Sequence, residues 1–588
     1  MSYTDPTTFK PAPEVKPGAP EYPEQVSGMY VLARALKMVG IDTMYGLVGI
    51  PVTEFAYVAQ GLGIKFVGFR HEQQAGMAAA THGYVTGKPG VALTVSSLGF
   101  LNGITATTNA TVNCYPMIQI SGSSDRAPID LDQGNYEALD QYTVAKSLVK
   151  KAYRVNRIED IPTGVVRAYR AAISGRPGGV YLDIVAPCLG QTIDRAKAEA
   201  LLFQPVDPEP AMIPSAESVQ RAVELLTNAK KPAILIGKGA AFAQVENEIK
   251  ELVEKYNIPY FPMSMAKGVL PDNHPLSALS CRSTIMEESD VVMLVGARLN
   301  WLLSRGHGKW NPTGEFIQLD IEPQEIDCNR PIAAPVVGDL RSSLDAILKA
   351  MEGRTMKADP TWVPELQNIS KAKNAKFAQR LHDTTVPMTH WSALSAIKPI
   401  IESNPDVILV NEGANTLDDT RDAIDMSLPR HRIDCATWAI MGMGMGTAVG
   451  AAVATGKSVV AIEGDSAFGF SGMDFSTICR FNLPVTVVIF NNGGIYNGVG
   501  ENLSTDPRVD KDPAPTTLNV NARYDKLGEA FGATGYYVST PAELSTALKE
   551  AIASKKPCLI DVQLAADAGK ESGHIGYLNP ASLIEVKV

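Results

Sequence analysis

Two stretches of this chain hold residues whose types and spacing could do chemistry. The first runs from Val459 to Gly494, VVAIEGDSAFGFSGMDFSTICRFNLPVTVVIFNNGG. A short apolar run ends at Gly464-Asp465, a segment of helical spacing follows, and a β-branched run ends at Asn491-Asn492. Parallel strands joined by a helix end on one edge of their sheet, where open α/β sheets bind ligands. Asp465, Asn492 and a nearby backbone carbonyl would there form a hard-oxygen set suited to Mg²⁺ held against a diphosphate. Each dipeptide alone is a common turn, and the bland alternative is a βαβ unit with polar loops. The second stretch is FRHEQQAGMAAATHGYV, with Glu72 at the start of a small-residue helix. The helix dipole favours a carboxylate there. Ala75, Gly76, Ala78, Ala79 and Ala80 describe a tightly packed helix, however, in which an unpaired carboxylate is costly, so Glu72 needs a partner.

The elements that must position these residues divide into domains. Residues 1–25 are Pro-rich and poor in large aliphatics, the composition of a mobile or surface arm. A first α/β domain spans 26–195, with helix SGMYVLARALKMVG and strands in TMYG, KFVGF, GVALTV, YPMIQISG and GVYLDIV. Its loop SSDRAPIDLDQGNYEALDQYTV places Tyr136-Glu137 in polar surroundings. A Pro-rich linker leads to a central domain at 215–350, where PAILIGKGAAF reads as strand, turn and helix, and VVMLVGARLN and FIQLDIEP read as strands. GKGAAF is weak as a nucleotide motif because Phe242 replaces the last Gly, yet Lys238, Arg298 and Asp320 all follow strands and should line one crevice. Residues 352–388 form a polar, basic helical linker, and a third domain covers 389–565. There DVILVNEGANTLDD reads as a strand ending in a polar turn, and TWAIMGMGMGTAVGAAVATG as a loop and a Gly/Ala helix. Residues 566–588 have little core potential and suit a mobile lid.

The 588 residues suit about three or four domains, and the 45% hydrophobic content with 49 Gly describes an α/β protein with many close turns. A net charge of −10 without any Lys/Arg block argues against nucleic-acid binding. Seven scattered Cys without CxxC spacing fit reduced thiols, and no apolar run reaches membrane-spanning length. The expectation is a cytoplasmic protein with no membrane partner.

The GDS…NNGG pair resembles the diphosphate-binding motif of the thiamine diphosphate enzymes, usually written GDG…NN, with Ser466 in place of a Gly. The resemblance covers about 26–565 and implies three doubly wound α/β domains: pyrimidine-binding, central nucleotide-binding-like and diphosphate-binding. It implies Mg²⁺ ligation by Asp465, Asn492 and the Gly494 carbonyl. It gives Glu72, in Arg70-His71-Glu72-Gln73, the hydrogen bond to N1′ of the aminopyrimidine. Ile50, Ala439, Ile440, Met441, Ser466, Ala467 and Tyr496 complete the implied cofactor set, with Met441 as the bulky apolar prop. In this family the two cofactor-binding domains come from different subunits, so the resemblance implies a homodimer at least, and a tetramer in the expected assembly.

Within the family the chain is most similar to the oxalyl-CoA decarboxylase branch, on DTMYGLVGIP, FRHEQQAG, DQGNYEALDQ, LVNEGAN, EGDSAFGFSGM, NNGGIY and ESGHIGYLNP. This implies conversion of oxalyl-CoA to formyl-CoA and CO₂. Tyr136, Glu137, Tyr496 and Ser572 match its polar active-site positions. Arg282, Asn415, Arg421, Glu571, Ser572 and Gly573 match its CoA contacts, and His574 stands where some members carry Arg. An ADP activator site is implied at Arg176, Lys238, Arg298, Asp320 and Leu340. The alternatives are a 2-hydroxyacyl-CoA lyase or formyl-CoA carboligase on the same scaffold, and a nucleotide-sensing protein without catalysis; retention of Glu72 and Asp465 speaks against the last.

Overall fold

A computed structural model describes residues 23–206, 210–496, 498–504 and 506–569. The β-branched apolar runs form strands buried on both faces, as parallel sheets between helix layers require. The first sheet has six parallel strands in the order Lys65–Gly68, Thr43–Gly46, Gly90–Thr94, Met117–Ser123, Gly179–Val185, Lys151–Val155. The third domain repeats that order with Arg432–Ile433, Ile408–Asn411, Val459–Gly464, Val485–Asn491, Cys558–Gln563 and Thr534–Val538. Numbered within each domain, both read 2-1-3-4-6-5. The central sheet has five parallel strands, Tyr260–Pro262, Pro232–Ile236, Val291–Val295, Glu315–Asp320 and Ala334–Val337. In each sheet the strand order reverses beside the first strand, which opens a crevice at the carboxyl edge.

The three sheets fall into two compact units. The first takes the described residues up to Gly83, Lys88–Val206 and Met473–Leu483. The second takes Tyr84–Gly87, the described residues from 210 to Gly472, and those from Pro484 onward. Met473–Leu483, read in the sequence as part of the third domain, thus clusters with the first sheet. The N-terminal helix Gly28–Met38 packs its Val31, Leu32, Ala35 and Leu36 into the first core. At the central switch point, a Cβ on Gly237 would collide with the carbonyl oxygen of Gly296, so glycine is what lets the two strand-end loops cross.

Several segments differ from the sequence reading. Asn415–Ala423 is a helix rather than a polar turn, with Thr416, Thr420 and Ala423 buried on one face. The loop after Ser123 contains short helices at Arg126–Asp130 and Gln141–Lys146. Gln25–Ser27, at the end of the expected arm, pairs antiparallel with Thr192–Asp194. Residues 1–22 and 570–588, including most of the expected lid, lie outside the described residues. Among the described residues no helix is long and apolar enough to cross a membrane, and no disulfide joins any of the seven cysteines.

The segment 352–388 carries helix Trp362–Ala378, which docks on the central domain through Trp362 and Leu366. Trp362 is 1% exposed, and its indole N–H donates to the Pro232 carbonyl at 3.0 Å. Trp362→Ala should therefore cost ~3–5 kcal/mol in the central domain. Denaturant unfolding followed by hydrogen exchange across 362–378 measures this; an unchanged midpoint and unchanged protection would show that the helix is not held by this residue.

Candidate active site

In the first unit, Glu72 is the first residue of helix Glu72–Thr86 and is 6% exposed. The small residues of its helix are buried, Ala75, Ala78 and Ala79 completely. The carboxylate does find a partner within its own chain: Asn102, on helix Leu98–Asn113, donates Nδ2–H to Oε2 at 3.0 Å. Burial alone therefore does not demand an external partner for that oxygen. The other oxygen, Oε1, lies against Gly99, where a Cβ would stand 3.1 Å away. Glu137 is half-buried rather than solvated, at φ +50°, and Ser96 donates its hydroxyl to Oε2 at 2.5 Å. Gln141 fixes the neighbouring turn by accepting from Ser97 N at 2.8 Å. Tyr136 and Ile50 are exposed. This edge thus offers one anchored carboxylate, Glu72, and one hydroxyl-bound carboxylate, Glu137.

In the third domain, Asp465 and Asn492 lie at the ends of adjacent strands. Asp465 is buried; its Oδ1 accepts from Ser466 N at 2.7 Å and its Oδ2 from Gly493 N at 2.8 Å. Asn492 accepts from Gly494 N at 3.3 Å and donates to the carbonyls of Tyr496 and Ala568 at 3.3 and 3.2 Å. Burial pushes the Asp465 carboxyl up to about 6, against the pull of the backbone N–H groups. A carboxylate, an amide and a peptide carbonyl are oxygen donors of the kind Mg²⁺ takes, and a dication would reverse that shift. The donor set fits the metal. No cluster of three His, Cys, Asp or Glu exists among the described residues, so such an ion would rely on the amide and carbonyl oxygens. Ala467 is buried, while Ala439, Met441 and Tyr496 are exposed and Ile440 is half-exposed.

The sequence reading missed what supports the 439–444 loop. Glu412 follows strand Ile408–Asn411 and accepts from the N–H of Gly442 through Oε1 and from Gly444 N at 2.6 Å through Oε2. Glu463, in the neighbouring strand, is fully buried, and neither carboxyl oxygen has a partner among the described residues. A Cβ on Gly444 would overlap Glu463 Oε1 and crowd Glu412 Oε2, so glycine admits both carboxyls. Burial raises Glu412 to about 7, and burial together with Glu412 raises Glu463 well above the carboxylate range. Two such carboxyls repel each other's charge, and burial beside Glu412 favours the neutral form of Glu463. The signal was a Glu inside the otherwise apolar strand VVAIEG, which has nowhere to go but the interior.

The remaining positions fall in separate places. Lys238, Arg298 and Asp320 follow neighbouring strands of the central sheet, and Leu340 opens the helix Leu340–Met351. Asp320 accepts from Glu322 N at 3.0 Å, and Arg298 lies 3.6 Å from Glu325. Arg176 belongs to the first unit. Arg282 and Arg421 are neighbours: burial, then the Arg421 charge, lowers the Arg282 guanidinium. Arg421 pairs with Asp418 at 2.9 Å, and Asn415 donates to the Tyr496 carbonyl at 3.2 Å. Glu571, Ser572, Gly573 and His574 lie outside the described residues.

Repeated parallel sheets with a carboxylate at one switch edge and an oxygen-donor set at another define a cofactor enzyme of the thiamine pyrophosphate class. Three family models match: "Thiamine pyrophosphate enzyme, N-terminal TPP binding domain" over 26–144, the "central domain" over 219–347 and the "C-terminal TPP binding domain" over 417–562. The chain belongs to the thiamine pyrophosphate enzyme family. Among curated relatives it is 53% identical to the oxalyl-CoA decarboxylase of Escherichia coli (strain K12), over 95% of this chain and 98% of that one. It is 40% identical to the 2-hydroxyacyl-CoA lyase of Arabidopsis thaliana, over 95% and 99% of the two chains. It is 36% identical to 2-hydroxyacyl-CoA lyase 1 of Homo sapiens, over 95% and 98%.

Because Glu412 is the acceptor for two loop amides, Glu412→Ala should leave both unpaired at about 1–3 kcal/mol each. Thiamine pyrophosphate affinity, read by fluorescence titration, should fall about tenfold or more. Wild-type affinity in a folded variant would show that the loop does not depend on Glu412.

Proposed function

We propose that the chain is a thiamine diphosphate- and Mg²⁺-dependent carboxy-lyase that converts oxalyl-CoA to formyl-CoA and CO₂. The observation that carries this reading is its identity to the Escherichia coli decarboxylase along nearly the whole chain. Thiamine diphosphate, when bound, supplies the electron sink that lets a carboxylate depart as CO₂. The chain's residues supply the rest. Glu72, held by Asn102, exchanges a proton with N1′ of the aminopyrimidine. Asp465, Asn492 and the Gly494 carbonyl would hold Mg²⁺, and Ser466 and Ala467, in the first turn of helix Asp465–Ser471, would belong to the diphosphate set. Ile50, Ala439, Ile440, Met441 and Tyr496 line the cofactor. Glu137, backed by Ser96, orients the substrate or a protonating water together with Tyr136, Tyr496 and Ser572. Arg282, Arg421, Asn415, Glu571, Ser572 and Gly573 contact the CoA moiety; two neighbouring guanidiniums suit its phosphates.

The family resemblance supports two copies sharing each site, in a dimer or tetramer. Exposed apolar side chains beside each half-site, such as Leu98 and Leu101 near Asn102 and Phe470 near Gly442, suit burial against a second copy. Seven cysteines without a disulfide among the described residues suit a reducing, cytoplasmic location. The second reading, 2-hydroxyacyl-CoA lyase or formyl-CoA carboligase activity, is favoured by the 36–40% identity to the lyases. Incubation with oxalyl-CoA, thiamine diphosphate and Mg²⁺, followed by acyl-CoA analysis, separates the two. Formyl-CoA and CO₂ support the decarboxylase; turnover only of 2-hydroxyacyl-CoA overturns it.

Glu72→Gln is expected to fold and retain cofactor while losing about two orders of magnitude in turnover. Asp465→Ala is expected to lose Mg²⁺-dependent cofactor affinity instead, because the diphosphate charge then goes unscreened. Near-wild-type turnover in the first, or retained metal-dependent affinity in the second, would remove that residue from its role. For the central crevice, Lys238 and Arg298 suit a diphosphate and Asp320 a ribose, with Arg176 and Leu340 completing the ADP set. ADP is expected to bind and to raise activity through a coupling of about 1–3 kcal/mol. Calorimetry that finds no ADP binding, or binding indifferent to Asp320→Ala, would discard the site.

A further inference from the structure

We propose that Asp474 is a positioning residue for Glu72, its carboxylate fixing the turn from which the Glu72 helix departs. The inference rests on the reading of Glu72 given above. The first amides of a helix have no acceptor inside it. Neither residue ahead of Glu72, Arg70 or His71, is a Ser, Thr, Asp or Asn able to cap it in the usual way. His71 Nδ1 accepts from Gln73 N at 3.2 Å, which serves one amide further in. The amides of Arg70 and His71 turn instead to Asp474, far along the chain but in the same compact unit. Arg70 N donates to Asp474 Oδ1 at 2.6 Å.

Asp474 is 1% exposed and stands at the N-cap position of its own short helix, Phe475–Arg480, yet makes no side-chain hydrogen bond to it. Its carboxylate is given over to the turn ahead of the other helix. The same segment grips the strand end that leads into the turn. Thr477 Oγ1 donates to the Gly68 carbonyl at 2.9 Å, Arg480 donates to that carbonyl as well, and Arg70 Nε donates to Ser476 Oγ at 3.1 Å. Strand end and turn are therefore held from one side by residues 474–480. Burial raises the Asp474 carboxyl to about 6 against the pull of the two amides, a cost that a merely packing side chain would not carry. What the carboxylate returns is a fixed turn, and small misplacements of a reacting group are expensive in rate.

The test uses the full-length chain loaded with thiamine diphosphate and Mg²⁺, as wild type, Asp474→Asn, Asp474→Ala and Glu72→Gln. Three quantities are read: amide hydrogen exchange across 68–76, the rate of hydrogen exchange at C2 of the cofactor, and kcat and KM for oxalyl-CoA. In Asp474→Ala the turn amides should exchange about tenfold faster, and C2 exchange and kcat should fall about tenfold or more, with KM little changed. Asp474→Asn keeps an acceptor oxygen and should recover most of the loss. Unchanged amide protection in Asp474→Ala, or faster amide exchange with wild-type C2 exchange and kcat, would overturn the proposal. Should Glu72→Gln itself show wild-type C2 exchange, the reading of Glu72 is what fails, and the amide protection still decides whether Asp474 holds the turn. If the Ala variant does not fold, the Asn variant decides. In it, faster turn-amide exchange accompanied by a small, partial fall in C2 exchange supports positioning; wild-type C2 exchange refutes it.

Discussion

Burying a carboxylate is the constraint on which this structure turns. Taking one out of water costs several kcal/mol unless donors replace the lost hydration. Glu72, Glu412, Glu463, Asp465 and Asp474 are all buried, and four of them are met by amide N–H groups. Asn102 serves Glu72, Gly442 and Gly444 serve Glu412, Ser466 and Gly493 serve Asp465, and Arg70 serves Asp474. Amides satisfy lone pairs without cancelling charge. A carboxylate solvated in this way stays attractive to a cation. Glu463 is the exception: it lies against Glu412 with no donor among the described residues, and burial beside that second carboxyl raises its pKa and favours its neutral form.

The central domain braces the third through a different device, buried cations. Lys267 Nζ donates to the carbonyls of Arg421 and Ile424, both at 2.8 Å, and lies 3.4 Å from Asp272. Asp272 in turn accepts from Met426 N at 2.8 Å. Arg432, fully buried, donates to Asn411 Oδ1 at 2.9 Å and to Ser264 Oγ at 3.2 Å, and Ser264 donates to Asp434. The backbone from Arg421 to Asp434 is thereby fixed from the central domain's side. Replacing either charge by a neutral residue would leave its partner buried and alone, which is the costly way to break such a pair. The loop carrying Ala439 and Met441 begins just beyond this anchored stretch.

Much of the scaffold was legible because strands buried on both faces leave unbroken β-branched runs, and small-residue helices leave Gly/Ala runs. VVAIEG, PVTVVIF and PAILI declared themselves in this way. Edge strands did not: Lys151–Val155 and Thr534–Val538 are only partly buried, and Arg432–Ile433 is two residues long. Helix Asn415–Ala423 escaped because its composition is polar, although Thr416, Thr420 and Ala423 carry a faint helical period. The motif residues Asp465 and Asn492 were legible because one connection places them side by side. Asn102, Glu412 and Asp474 were not, since each acts on a backbone or side-chain group outside its own helix or strand. Single residues of common type carry no local pattern, and only tertiary geometry reveals what they hold.

The two six-stranded sheets share one strand order, yet their carboxyl edges differ in kind. In the first domain the segments after the second, third and fourth strands bring single carboxylates to neutral donors: Glu72 to Asn102 and Glu137 to Ser96. Such a group can pass a proton but has too few oxygens nearby to hold a hard cation. In the third domain the loops after the third and fourth strands fold back so that Gly493 and Gly494 turn their amides onto Asp465 and Asn492. That concentrates side-chain and peptide oxygens around one point. Divergence of function between the two sheets therefore lies in the loops after the strands. The strands can repeat because they are interchangeable supports, whereas each loop is specified by the one carboxylate it has to satisfy.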